Sequence, residues 1–221
     1  LPLMQKQILK MLIITEASRS MVFKAADLLD KADNGDKISQ QIFRMITPLI
    51  KFRACRDVRK VAGDAMEIRG GSGYIEEWLD PKILRDSHLG SIWEGTSNII
   101  SLDTIRALKK DNNIETLKNY LIEMVQNNLE TEHTKTLLSA IENVFRFVSK
   151  EIDDDFTSSS RQVTSSLYYL CASVFLNSEG EYCESLAPRK KISELLIKYK
   201  ISQISPLERD NLDCDLINQY I

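Results

Sequence analysis

Residues 64–106 read DAMEIRGGSGYIEEWLDPKILRDSHLGSIWEGTSNIISLDTIR, and the rest of the chain is organised around them. The stretch begins at the end of a long amphipathic run and meets a glycine cluster, Gly70, Gly71, Ser72 and Gly73. Three glycines in four positions form a turn free to take positive φ and to let a backbone or a ligand approach closely. A polar, loop-like segment holding Trp78, Pro81, Arg85 and Asp86 follows. Then Trp93, Glu94, Gly95, Thr96, Ser97 and Asn98 run into the periodic Ile99, Ile100, Leu102 and Ile105. Thr96, Ser97 and Asn98 are all N-cap types, so a helix is expected to begin within this trio. The free N–H groups and positive dipole end of such a start suit an anion such as phosphate. Glu94, next to Trp93 and Gly95, is placed for partial dehydration, which makes a carboxylate a stronger base. The alternative is a surface Glu beside a helix cap.

Upstream, residues 3–31 repeat apolar side chains at helical spacing on a broad stripe, as expected of a helix buried on more than one side. Ala32 to Asp36 form a turn by composition, with Gly35 suited to a C′ cap. A second helix is expected over residues 38–68, with Pro48 producing a kink or delaying the start to near Thr47. One face of it is basic: Lys51, Arg53, Arg56, Arg59 and Lys60. This is either a solvated helix face, partly balanced by Asp57 and Asp64, or an anion site for a cofactor, a CoA phosphate or nucleic acid. Residues 74–92 read as loop with short helical pieces, and residues 97–109 as a third helix ending at Lys109 and Lys110.

Asp111, Asn112 and Asn113 mark a boundary. Residues 1–110 carry 18 basic against 14 acidic residues, and residues 111–221 carry 11 against 18, so the charge turns from +4 to −7. Amphipathic runs at 114–129, 137–148, 166–176 and 192–204 indicate a second helical unit with a loop near residues 151–160. Its aromatic pairs, Phe145 with Phe147 and Tyr168 with Tyr169, read as core, and the unit as a packing or assembly element. No run of eighteen apolar residues exists to span a membrane. Cys55, Cys171, Cys183 and Cys214 lack metal-type spacing, as expected of thiols in a reducing compartment, and no metal site is expected. His88 and His133 form no pair and read as surface or packing residues. Leu1, Pro2, Leu3 and Met4 read as the interior of a longer protein.

Glu67 to Tyr74, then Arg85 and Asp86, then Ile92 to Asn98 resemble the C-terminal domain of the acyl-CoA dehydrogenases. That family's pattern is a Q-I-x-G-G-x-G-[FY] element, an R-D pair and a [YW]-E-G-T-[SA]-[NQ] element, in the same order and at the same separation. The resemblance covers roughly residues 1–110. It implies an all-α fold: an antiparallel helical bundle over residues 1–112 whose first helix would lie before Leu1, followed by a helical extension over 113–221.

The resemblance also implies an activity. Family members remove hydrogens from Cα and Cβ of an acyl-CoA thioester, with FAD as hydride acceptor. Glu94 stands at the family position of the α-proton base, which some members carry on an earlier helix instead. Thr96, Ser97 and Asn98 match contacts to the flavin nucleotide. Glu67, Ile68, Arg69, Gly70 and Gly71 match a segment that reaches the adenosine-diphosphate half of FAD on a neighbouring subunit, which implies a homo-oligomer, a tetramer in this family. The chain alone is then expected to bind FAD weakly or not at all, and the implied location is the cytoplasm, or the mitochondrial matrix in a eukaryote. Three departures stand out: Glu67 where the family often has Gln, Arg69 where it has a large apolar residue, and Trp93 for the usual Tyr. Trp93 and the extra helices point towards the alkylation-damage adaptive-response flavoproteins, which are thought to bind DNA, so a nucleic-acid-binding flavoprotein is the alternative. The net charge of −3 and pI near 5.6 weigh against it.

Overall fold

The computed structural model describes residues 1–153, 157–182, 184–202 and 214–220, which form helices and turns with no strand among them. Two 32-residue helices, α1 (Pro2–Asp33) and α2 (Lys37–Ile68), make a hairpin through a tight turn in which Gly35 takes φ 95°. Asp36 fixes the entry to α2. Its carboxylate accepts from the backbone N–H groups of Ile38 at 2.9 Å and Ser39 at 3.3 Å, satisfying donors that a helix start leaves free.

α2 is continuous from Lys37 through Pro48, so its start is not delayed to near Thr47. Proline within a helix removes one hydrogen bond and costs about 3 kcal/mol. Ile42, Met45, Ile46, Leu49 and Phe52 are buried on both sides of Pro48, and apolar burial of about 2 kcal/mol per such side chain outweighs that loss.

After α2 come the short α3 (Gly71–Tyr74), α4 (Asp80–Leu89), α5 (Ser97–Leu108), α6 (Asn113–Gln126), α7 (Glu132–Asp153), α8 (Ser160–Tyr182) and α9 (Pro188–Leu196). A single π turn, Ile197–Ile201, prolongs α9. The segment expected to be mostly loop thus contains a ten-residue helix, α4, opened by Pro81 in its first turn. The end of the run expected over 192–204 lies outside the described residues.

α8 sits at the centre, against α1, α2, α5, α6, α7 and α9. The sequence suggested an amphipathic helix here. Instead every residue from Leu167 to Asn177 is buried, because the run is apolar on all sides apart from Ser173 and Asn177, and the Ser173 hydroxyl donates to the Tyr169 carbonyl at 2.8 Å. Tyr168 and Tyr169 are core residues, as read from sequence, with ring centroids 5.3 Å apart and edge-to-face. Asp111 and Asn112 mark the α5–α6 turn at positive φ, but one apolar cluster joins residues from both sides of it. Two buried polar ties lock α8 in place. Asp57, 2% exposed, accepts from Tyr169 Oη at 3.0 Å and from Arg53 Nε at 2.9 Å. Arg189 of α9 pairs with Glu16 of α1 at 2.8 Å and with Glu179 of α8. No described helix is long and apolar enough to cross a membrane.

Candidate functional site

The glycine cluster terminates α2. Arg69 is the C-cap, and Gly70 takes φ 60°, ψ −140°, a conformation open to glycine alone. The glycines do different work. A Cβ at Gly73 would lie 2.1 Å from the Met66 carbonyl oxygen, so Gly73 lets α3 fold back on the end of α2. A Cβ at Gly70 or Gly71 would meet nothing within 4 Å, which leaves this backbone open to a ligand or another chain. Glu67 beside it is exposed and Ile68 half-buried. Arg69 does not offset Glu67: its Nε lies 3.1 Å from Asp80 Oδ2, and its guanidinium sits 5.3 Å from the Trp78 ring centroid. Arg85 and Asp86 face outward and pair with Glu76 and Lys82.

The turn between α4 and α5 holds Glu94 at φ 54° and Gly95 at φ 109°. A non-glycine residue at positive φ stores about 1 kcal/mol or more and is concentrated at functional sites. The Glu94 carboxylate lies 3.6 Å from Lys51 Nζ, and the same ammonium sits 5.7 Å from the Trp93 ring centroid. The dehydration expected for Glu94 is not built by this chain, because its side chain is 72% exposed. Ile92, Trp93 and Ile99 around it are exposed too, so no apolar wall is closed over the carboxylate.

α5 begins within the expected trio, with Thr96 as N-cap and Ser97 as first helical residue. Thr96 makes no side-chain capping bond, which leaves the first-turn amides without one. Ser97 Oγ accepts from Arg56 Nη1 at 3.4 Å, and Asn98 is exposed. Glu94 and Thr96 to Asn98 therefore share one site beside the middle of α2. Glu67 to Gly71 do not join it: Arg56 and Glu67 stand about 17 Å apart along the helix axis at 1.5 Å per residue.

Three of the five cations on the basic face of α2 are paired. Lys51 pairs with Glu94, Arg53 with Asp57, and Lys60 with Asp64. Arg56 is different. Its Nε is buried without an acceptor, and burial, then the charges of Arg161, Arg53 and Arg59, hold its guanidinium below the ordinary value against the pull of Asp57. Arg161, in the first turn of α8, was invisible to the sequence reading because only the tertiary fold carries it over the hundred-residue gap to Arg56. The lone signal was the basic run that includes Arg56.

His133 and Cys171 carry no site chemistry. His133 Nε2 lies 2.7 Å from Ser193 Oγ and ties α7 to α9, while burial pushes the Cys171 thiol up to about 12.

Residues 1–109 match the family model for the acyl-CoA dehydrogenase C-terminal domain. "Acyl-CoA dehydrogenase family member 11" of Caenorhabditis elegans is 32% identical over 153 residues, 67% of this chain and 25% of that protein. Cyclohex-1-ene-1-carbonyl-CoA dehydrogenase of Geobacter metallireducens is 36% identical over 104 residues, 47% of this chain and 26% of that protein. The chain thus spans about a quarter of the length of these relatives. The crystal structure of Caenorhabditis elegans ACDH-11 in complex with C11-CoA has the same fold over 98% of this chain and 38% of its own, with a TM-score of 0.76 and 23% identity. That likeness takes in α6 to α9 as well. With the glycine turn, the R-D pair and the Glu94 turn in family order, residues 1–109 of this chain belong to the acyl-CoA dehydrogenases as their C-terminal domain.

Proposed function

We propose that the full-length protein is a FAD-dependent acyl-CoA dehydrogenase in which Glu94 removes the α-proton of an acyl-CoA thioester. The observation that carries this reading is the Glu94 turn: a carboxylate held at positive φ between α4 and α5, beside Trp93, with Lys51 Nζ 3.6 Å away. The exposed Ile92, Trp93 and Ile99 are the rim that the remainder of the protein covers, and covering them takes water away from Glu94. The proton then passes from substrate Cα to a Glu94 oxygen.

FAD, when bound, supplies the hydride acceptor for Cβ. The residues present suit an anionic dinucleotide, since the α5 start has no side-chain cap and Arg56 keeps a buried N–H without an acceptor. Thr96, Ser97 and Asn98 hold the flavin nucleotide at this start. Glu67, Ile68, Arg69, Gly70 and Gly71, remote from it on α2, reach the adenosine-diphosphate half of a cofactor in a neighbouring subunit of a homotetramer. Residues 1–112 provide the catalytic bundle, and residues 113–221 brace it through α8. The compartment is the cytoplasm, or the mitochondrial matrix in a eukaryote, where free thiols such as Cys55 and Cys171 persist.

Adding acyl-CoA to the full-length protein under anaerobic conditions tests the reading. Bleaching of the flavin absorbance is expected, while the 221-residue chain alone is expected to be colourless and without turnover. A yellow full-length protein that no acyl-CoA bleaches would contradict the reading.

A further inference from the structure

A cavity of about 530 Å³ lies between the first two turns of α2 and the α5–α6 turn. Lys37 on its wall stands about 21 Å along the α2 axis from Lys51, so the cavity is separate from the Glu94 turn. Its volume falls within the range of about 300–1,000 Å³ usual for small-ligand pockets. Lys37, Gln40, Gln41 and Arg44 follow one another at spacings of three and four, so α2 turns one face towards it.

Asn113, 3% exposed, lines the opposite wall. Its Nδ2 donates to the Ala107 carbonyl at 2.7 Å, which fixes the amide orientation and leaves Oδ1 buried without a donor. A buried acceptor left unpaired is destabilising, so this wall calls for an O–H or N–H group. The side-chain amides of Gln40 and Gln41 have no hydrogen bond among the described residues, and each can both donate and accept. The cations differ in how far they are committed. Arg44 is held by Asp103 through bonds of 2.7 and 3.1 Å, and Lys110 lies 3.7 Å from Asp111. Lys37 has no ion pair among the described residues, and it stands at the positive end of the α2 dipole, where an anion is favoured. Asp36 beside it is already bonded by the Ile38 and Ser39 amides and the Ser39 hydroxyl.

We propose that this cavity binds a small polyhydroxylated carboxylate. Its hydroxyl groups donate to Asn113 Oδ1 and exchange hydrogen bonds with Gln40 and Gln41, and its carboxylate pairs with Lys37. Binding there requires neither FAD nor the Glu94 turn, and it gives the start of the helical extension a ligand of its own.

The test titrates the full-length protein with gluconate, hexanoate and glucitol by calorimetry. Gluconate has both features, hexanoate keeps the charge without the hydroxyls, and glucitol keeps the hydroxyls without the charge. Gluconate is expected to bind in the millimolar range. Hexanoate and glucitol are each expected to bind at least roughly tenfold more weakly, because each leaves a polar group of the site unpaired. Lys37 is exposed with no ion pair to lose, so Lys37→Gln is expected to fold normally. It should weaken gluconate roughly tenfold, the scale of one charge-assisted hydrogen bond, and leave glucitol unchanged. In crystals soaked with gluconate, a ligand hydroxyl is expected within hydrogen-bond reach of Asn113 Oδ1. Absence of gluconate binding at high millimolar concentration overturns the proposal. So does equal affinity for hexanoate or glucitol, unchanged gluconate affinity in Lys37→Gln, or a soaked crystal in which water alone serves Asn113.

Discussion

At Gly73 the chain has no room for a methyl group, and at Gly71 it has ample room. Gly73→Ala would drive a Cβ against the Met66 carbonyl oxygen, which nothing flexible can relieve, so it is expected to destabilise the fold by about 3 kcal/mol. Gly71→Ala is expected to stay within about 0.5 kcal/mol. Urea unfolding of the two variants checks the pair, and equal losses would mean that the α2–α3 corner differs from the one described. The sequence announced a permissive turn at these glycines without saying which of them is packed, because burial against Met66 depends on where α3 folds. Glu94 shows the same limit. Its position in the motif was legible, whereas its exposure goes with that of Ile92, Trp93 and Ile99 around it, which depends on the tertiary fold.

Helix boundaries were legible wherever local chemistry set them: the turn at Gly35, the Thr96–Ser97 start and the run of apolar spacings in α1. They were not legible where packing overrides propensity, as at Pro48, or where an apolar run is buried all round, as in α8. The α7–α9 joint gives an element-scale expectation. Ser193 donates to the Ser173 carbonyl at 2.7 Å, so its oxygen accepts from His133 Nε2–H. Burial first, and Lys191 after it, hold the His133 imidazole below its ordinary 6.5, with Glu194 opposing. The unfolded chain therefore binds a proton at higher pH than the folded one, and this contribution to stability, complete above pH 6.5, is lost as pH falls towards the lowered value. Between pH 7 and pH 5 the urea midpoint is expected to fall in the wild type and to fall less in His133→Gln, which keeps an N–H for Ser193. Identical slopes would show that His133 titrates as it does in the unfolded chain.

On the scale of the whole molecule, the charge change near residue 112 suggested two units, and the fold joins them through one core. The run at 166–176 was read as a helix, but the central place of α8 was not legible from local periodicity, because it comes from packing against α1, α2, α5, α6, α7 and α9. Its packing is what sets Ser160 3.1 Å from Ser101 of α5. The motif residues are split between two places along α2, about 17 Å apart on its axis. All of this turns on Glu94 acting as the base. The most direct measurement is exchange of the substrate α-proton with deuterated solvent, followed by mass spectrometry of a bound acyl-CoA in the full-length wild-type protein and in Glu94→Gln. Glu94→Gln is expected to keep its FAD and lose α-proton exchange by roughly a thousandfold or more. Exchange at the wild-type rate in a variant that still holds FAD would contradict the role of Glu94 as the base.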